Sequence, residues 1–418
     1  MPYIVYNSRM KLTRDIRLLF STRMVRLFAY GFLSVVLVLY LAEAGLGEGQ
    51  IGLLLTLTLV GDTAISLWIT TNADRLGRRR MLVAGSVLMI FAGSLFILTR
   101  NFYVLLLAAM IGVISPSGNE VGPFLSIEQA ALSQLLPDER RTQVFSWYNL
   151  VGSFATALGA LVGGVGAQAL QGLGYAAGAS YRMVLMGYAS LGIVLILLFL
   201  RLSQAVEVPK EAVTGAKPQK VFLGLHQSRG VIFRLAALFS LDAFAGGLVV
   251  QSLVAYWFHL RFGVEPAVLG SIFFGANILA GISALSAAWV AKRIGLINTM
   301  VFTHLPSNIL LILVPFMPTL PLAILMLLMR FSISQMDVPT RQSYTMAVVA
   351  PDERSAASGI TGIARTIGAA LSPIFTGLFL TNPLLLGLPF VLAGSLKIIY
   401  DLSLYRSFKA IKPPEEEG

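Results

Sequence analysis

The sequence predicts an all-α membrane protein of twelve transmembrane helices in two pseudo-symmetric six-helix bundles. Composition is the first ground. Of 418 residues, 56% are hydrophobic and 12% charged, and mean hydropathy is +0.79, whereas a soluble domain carries about 25% charged residues. Length is the second. Twelve apolar segments reach the ~20 residues that a bilayer crossing requires. Duplication is the third. Pro137-Asp138-Glu139-Arg140 returns letter for letter as Pro351-Asp352-Glu353-Arg354, 214 residues later. Glu120-Val121-Gly122-Pro123 is answered by Asp337-Val338-Pro339, and Glu128-Gln129 by Arg341-Gln342.

The chain opens with a polar, basic stretch to about Arg23 that reads as a segment on the cytoplasmic surface. The spans follow at 24–44, 51–71, 81–99, 103–135, 144–170, 183–201, 231–258, 268–290, 298–317, 320–349, 356–380 and 384–404. Spans four and ten are long and contain proline, which predicts a kink or tilt in each. One set of loops holds Arg75, Arg78, Arg79, Arg80, Arg140, Arg141, Lys292, Arg293 and Arg354; the other holds little beyond Arg100, Arg182 and Arg261. The basic side is read as cytoplasmic, with both termini inside. The expected units are an N-terminal bundle over 1–201, a central cytoplasmic loop over 202–230, a C-terminal bundle over 231–408 and a charged tail over 409–418.

Several classes of function are disfavoured. The net charge of +11 is spread over short loops rather than gathered on a basic domain, so no nucleic-acid partner is expected. Without cysteine there is no thiol chemistry or thiolate metal site. His226, His259 and His304 have no metal-ligand spacing. No nucleophile-plus-histidine set or phosphate loop points to an enzyme, and no cofactor is implied. Trp68, Trp147, Trp257 and Trp289 fall near predicted span ends and read as interfacial belts.

At Asp74-Arg75-Leu76-Gly77-Arg78-Arg79-Arg80 the chain resembles the major facilitator superfamily. That family carries Gly-x-x-x-Asp-Arg-x-Gly-Arg-Arg between spans two and three; here Thr70 stands at the first glycine. A degenerate echo, Ala291-Lys292-Arg293-Ile294-Gly295, follows span eight. The resemblance implies two bundles around a central cavity, with alternating access by rocking. It also implies that Asp74 gates the cytoplasmic side by meeting the start of span eleven. The adjacent Arg75 and Arg78, about Gly77, would share a charge network there; Glu128, Arg140, Arg141 and Arg354, toward the cytoplasmic end, are further gate candidates. Span five has Gly152 and Gly159-Ala160-Leu161-Val162-Gly163-Gly164 where proton-coupled drug exporters of the family carry a Gly-Pro-x-x-Gly-Gly signature. The proline is replaced, and close helix packing by small residues is the preferred reading of the pattern.

Ionisable residues at membrane depth mark a pathway or binding site by default. Glu120 lies 17 residues before Pro137, roughly 25 Å along a helix, near mid-bilayer. In span ten, Arg330, Asp337 and Arg341 recur at spacings of seven and four and so share one helix face. That stripe is an internal ion pair with a spare positive charge, an anion site, or a partner for Glu120 across the cavity. Proton coupling is assigned to Glu120 with Asp337 or Asp242, and substrate binding to Asn119, Glu120, Asp242, Gln251, Arg330, Asp337 and Arg341. Asp62 is divided between a cavity role and a helix contact; Arg365 and the pair Lys397 and Asp401 read as interfacial or helix-pairing charges. The expected function is secondary transport, with proton-coupled export of a drug-like compound or metabolite first and proton-linked uptake of a small organic anion second. A transport-inactive receptor or scaffold is the remote third. The expected partners are a small-molecule substrate, protons and the lipid bilayer, in a monomer of the plasma (cell inner) membrane.

Overall fold

The computed structural model describes residues 14–136, 138–207, 227–349 and 353–411, with the side chains of 138–143 and Ser355 outside that description. The helices are α1 (Arg14–Ser34), α2 (Leu37–Glu43), α3 (Glu48–Leu76), α4 (Arg78–Leu98), α5 (Phe102–Ile111), α6 (Phe124–Leu135), α7 (Asp138–Gly172) and α8 (Ala177–Leu200). After the central segment come α9 (Arg229–Gly247), α10 (Gln251–Phe262), α11 (Pro266–Ile294), α12 (Leu296–Leu313), α13 (Leu320–Ile333), α14 (Asp337–Ala347), α15 (Arg354–Leu371), α16 (Pro373–Leu380) and α17 (Leu388–Phe408). Among the described residues ten helical stretches are long and apolar enough to cross a membrane, or eleven if α1 and α2, bent by 42°, count as one span.

The expected fourth span accounts for the shortfall. It is not one helix: α5 has ten residues and α6 twelve, and residues 112–123 between them are not helical. Pro116 and Pro123 cannot donate a helical N–H, and Gly118 and Gly122 sit at φ +70° and +80°, where L side chains are strained. Non-helical backbone at membrane depth persists only when protein satisfies it. Tyr188 Oη donates to the Val113 carbonyl at 2.6 Å and Tyr30 Oη to that of Val121 at 3.1 Å. Ser115 Oγ donates to the Asn119 carbonyl at 2.7 Å, and the Ser252 N–H to that of Pro116 at 3.1 Å. Span ten is broken too, at Ser334–Met336 between α13 and α14, and span seven between α9 and α10.

Helix pairs repeat across the duplication. The contacts α1–α7, α4–α8 and α3–α5 recur as α9–α15, α12–α17 and α11–α13. The two halves meet where α7 packs on α11 and where α3 packs on α15 and α16. These seams are glycine seams: a Cβ on Gly164 or Gly270, or on Gly52 or Gly377, would overlap the facing backbone. Hydrogen bonds reinforce the same end. Gln251 Nε2 donates to Ser34 Oγ at 2.8 Å, Tyr256 Oη to Glu48 Oε1 at 3.2 Å, the Ala267 N–H to Gln168 Oε1 at 2.9 Å and the Ile374 N–H to Thr56 Oγ1 at 2.9 Å. The halves are therefore joined at the end remote from the arginine-rich loops. Trp68, Trp147 and Trp289 are exposed as expected of a belt, but Trp257 is buried, its ring 4.6 Å from that of Phe390. It belongs to the packing of the joined end.

The glycine seam makes a direct prediction. Gly377→Val sets a branched side chain against the backbone of Gly52 and should wedge the joined end apart. The chain has no cysteine, so a single one at buried Ser252 reports on closure. Labelling of Ser252→Cys by a membrane-impermeant maleimide should rise several-fold when Gly377→Val is added; unchanged labelling would show that the seam does not hold this end shut.

Candidate functional site

Between the halves lies a cavity of about 830 Å³. Its N-terminal wall is built on α1, α3, α6, α7 and the non-helical stretch before α6; its C-terminal wall on α9 to α15 and α17. Each wall carries a charge network.

In the N-terminal wall the organising side chain is Arg26. It is fully buried, and its guanidinium spans two carboxylates. Nε donates to Glu120 Oε1 at 2.7 Å, while Nη1 and Nη2 grip the two oxygens of Glu128 at 2.8 and 2.6 Å. This bidentate geometry is the arrangement arginine favours with a carboxylate. Arg23 supplies the second hold on Glu120, Nη1 to Oε2 at 2.8 Å, and bonds the Tyr148 carbonyl and Asn149 Oδ1. Thr22 Oγ1 and Tyr148 Oη also donate to Glu128. The guanidinium of Arg23 lies 4.4 Å from the Tyr148 ring centre, a further cation–π contact.

In the C-terminal wall the organising group is Asp242. Lys397 Nζ reaches Oδ1 at 2.5 Å and Arg341 Nη1 reaches Oδ2 at 3.0 Å. Arg341 also pairs with Asp337 at 3.1 Å, the four-residue spacing read from the sequence. Arg365 stands 3.9 Å from Asp242. Arg330 lines the cavity with its Nε buried and without a hydrogen-bond partner. Four cations thus face two carboxylates on this wall. Deeper, His304 bonds Asp401 at 2.8 Å, and Asn308 Nδ2 donates to the same carboxylate.

Asn119, Glu120, Asp242, Gln251, Arg330, Asp337 and Arg341 all line the cavity, and so does Asp62. The pairing differs from one expectation. Glu120 does not meet the span-ten arginines across the cavity; it is bonded within its own half. Arg23 and Arg26 are the missed residues, since the first is buried within α1 rather than lying on a cytoplasmic surface. The signal was present: Arg26 stands inside an apolar run with no acidic neighbour on its own helix to neutralise it. Lys397 and Arg365, read as interfacial or helix-pairing charges, line the cavity, and Lys397 pairs α17 with α9 through Asp242.

The expected gating residues are scattered. Asp74 Oδ1 accepts from Arg78 Nε at 2.8 Å, four residues on, and its side chain is 59% exposed. The expected contact with span eleven is not among the hydrogen bonds and ion pairs of the described residues, and the halves are joined at the other end. Arg78 is buried and reaches Gln134 Oε1 and the Val206 carbonyl, while Glu207 caps α4 by accepting from the N–H groups of Arg78 and Arg79. Gly77 turns the chain between α3 and α4 at φ +102°. Arg75 is exposed, Arg354 Nε bonds the Met346 carbonyl, and Glu128 belongs to the Arg26 network. The side chains of Arg140 and Arg141 lie outside the described residues.

Removing Arg26 leaves buried Glu128 without its cation and Glu120 with Arg23 alone. Breaking one buried pair costs about 3–5 kcal/mol, so Arg26→Leu should lower thermal stability in detergent severely. Adding Glu128→Leu to that variant should recover part of the loss; a simple sum of the two single effects would mean that the pair is not energetically coupled.

Comparison with known proteins agrees with this architecture. The uncharacterized membrane protein YJR124C of Saccharomyces cerevisiae is 32% identical over 426 aligned residues, covering 96% of this chain and 95% of that one. The quinolone resistance protein NorA of Staphylococcus aureus is 26% identical over 225 residues, about half of each chain. Among solved structures, a D-xylose-proton symporter superposes with a TM-score of 0.73 at 16% identity, over 94% of this chain and 97% of that one. The nucleoside transporter NupG does so with 0.68 at 15% identity, over 95% and 100%. At such identities the likeness is one of fold. The family model of the Major Facilitator Superfamily matches residues 19–373, and the chain belongs to that superfamily of membrane transporters.

Proposed function

We propose that this protein exports a small drug-like compound or metabolite across the plasma membrane by alternating access, coupled to protons, as a monomer with both termini in the cytoplasm. The observation that carries the proposal is the charged cavity itself. Its volume of about 830 Å³ is within the range of about 300–1,000 Å³ that suits drug-sized ligands. Its carboxylates other than Asp62 are neutralised within each half, Glu120 by Arg23 and Arg26 on one wall and Asp242 and Asp337 by Arg341 and Lys397 on the other. Among the described residues no ion pair joins the two halves, so none of these has to break when the halves rock, and the network can trade a protein partner for a substrate group or a proton. Likeness to a quinolone resistance protein over half its length supports the export direction.

A second reading, uptake of a small organic anion with protons, has its own support. Arg330 Nε and Arg365 Nη1 are buried without hydrogen-bond partners, and an anionic substrate group would satisfy them.

The test is transport into proteoliposomes under an imposed pH gradient, with norfloxacin and benzoate as probes. Export predicts norfloxacin movement against proton flow, abolished by a protonophore; the second reading predicts benzoate moving with the protons. In the latter case Arg330→Gln should raise the apparent KM about tenfold, equivalent to about 1.4 kcal/mol. Transport that ignores the pH gradient would exclude proton coupling.

A further inference from the structure

We infer that Asp62 is the residue that takes up and releases the coupling proton. This rests on proton-coupled transport through the cavity and adds the group that carries the proton. The carboxylates with cations, Glu120, Glu128, Asp242 and Asp337, are each held by an arginine or lysine at 3.1 Å or less. A proton at any of these must first displace a guanidinium or ammonium group. Asp62 differs. It is 8% exposed, it lines the cavity, and among the described residues no cation pairs with it. It stands fourteen residues from either end of the 29-residue α3, about 21 Å by helical rise, at mid-membrane. A carboxylate there without a cation bears its desolvation alone and sheds it by binding a proton.

The surroundings leave Asp62 free to titrate. On its own helix only Ser66 Oγ approaches, at 3.4 Å. From α1, Arg26 is engaged with Glu120 and Glu128, and the Tyr30 hydroxyl with a carbonyl; from α8, the Tyr188 hydroxyl is likewise engaged. On α2 the Tyr40 hydroxyl donates to the Phe96 carbonyl, and Glu43 lies at the helix end. On α4 the charges are Arg78, Arg79 and Arg80 at its start, a full helix half away. On α6 Glu128 is held by Arg26. From the other half, α15 brings Arg365, which stands by Asp242, and α16 brings no titratable group.

The position also explains how the proton would be felt. A Cβ at Gly61 would overlap the Met110 carbonyl, so α3 and α5 touch backbone to backbone and set Asp62 against the break in span four. A change of charge at Asp62 is therefore felt next to the stretch that presents Asn119 and Glu120 to the cavity.

Infrared difference spectroscopy of the purified full chain in lipid, titrated across neutral pH, tests this without a substrate. The parent should show the C=O stretch of an un-ionised, desolvated carboxylic acid appearing as pH falls. The near-isosteric Asp62→Asn should lose that band, and Glu120→Gln should keep it. A band unchanged in Asp62→Asn, or no band in the parent, overturns the assignment. In proteoliposomes Asp62→Asn should reduce gradient-driven norfloxacin movement to the level of empty vesicles while gradient-free exchange persists. If the parent shows the Asp62 band yet transports without regard to pH, the coupling reading fails and the protonation site stands.

Discussion

A charge in hydrocarbon must be neutralised close by, and this constraint governs the molecule through Arg26. One guanidinium with five donors holds Glu128 in a fork and Glu120 through Nε. α1 is thereby pinned at one point to the break and to α6, which lie 94 and 102 residues further along the chain at Glu120 and Glu128. Lysine could not substitute, since a point charge lacks the planar fork that serves two carboxylates at once. The opposite wall solves the same problem around Asp242, with the roles reversed: one carboxylate serves Arg341 and Lys397. The duplication thus preserves the frame and the principle of pairing while inverting which sign is central.

The break in span four follows from that pinning. A continuous helix from residue 103 to 135 would fix the azimuth of Glu120 relative to Glu128. The non-helical residues 112–123 let Glu120 face Arg23 and Arg26 while Asn119 faces the cavity. The exposed backbone this creates is met by hydroxyls from α1 and α8, so irregular chain is confined to a place lined by protein and cavity.

Much of this was legible in the sequence. The repeat of Pro-Asp-Glu-Arg gave the duplication, and the Asp337–Arg341 spacing gave a pair that the structure forms. The partners of Glu120 were not legible, because they lie 94 and 97 residues away and are chosen by packing. Pro116, Gly118, Gly122 and Pro123 announce irregularity, but a kink and a break differ in what satisfies the freed carbonyls. Those groups, Tyr30, Tyr188 and the Ser252 N–H, are dispersed over the chain. Trp257 misled for a similar reason: its place near a span end fits a belt, and only its neighbour Phe390 shows that it is enclosed.

The glycine contacts between α3 and α16 and between α7 and α11 bear on how the halves can move. Where backbone lies on backbone, no side chains interlock across the line of contact. Parting such surfaces requires neither a rotamer change nor the withdrawal of a knob from a hole. Each half can tilt as an intact block, and lipid or water entering the gap meets no half-filled pocket. The smoothness of this line makes it a low-friction bearing, while directional bonds such as Gln251 to Ser34 fix the angle at which it comes to rest.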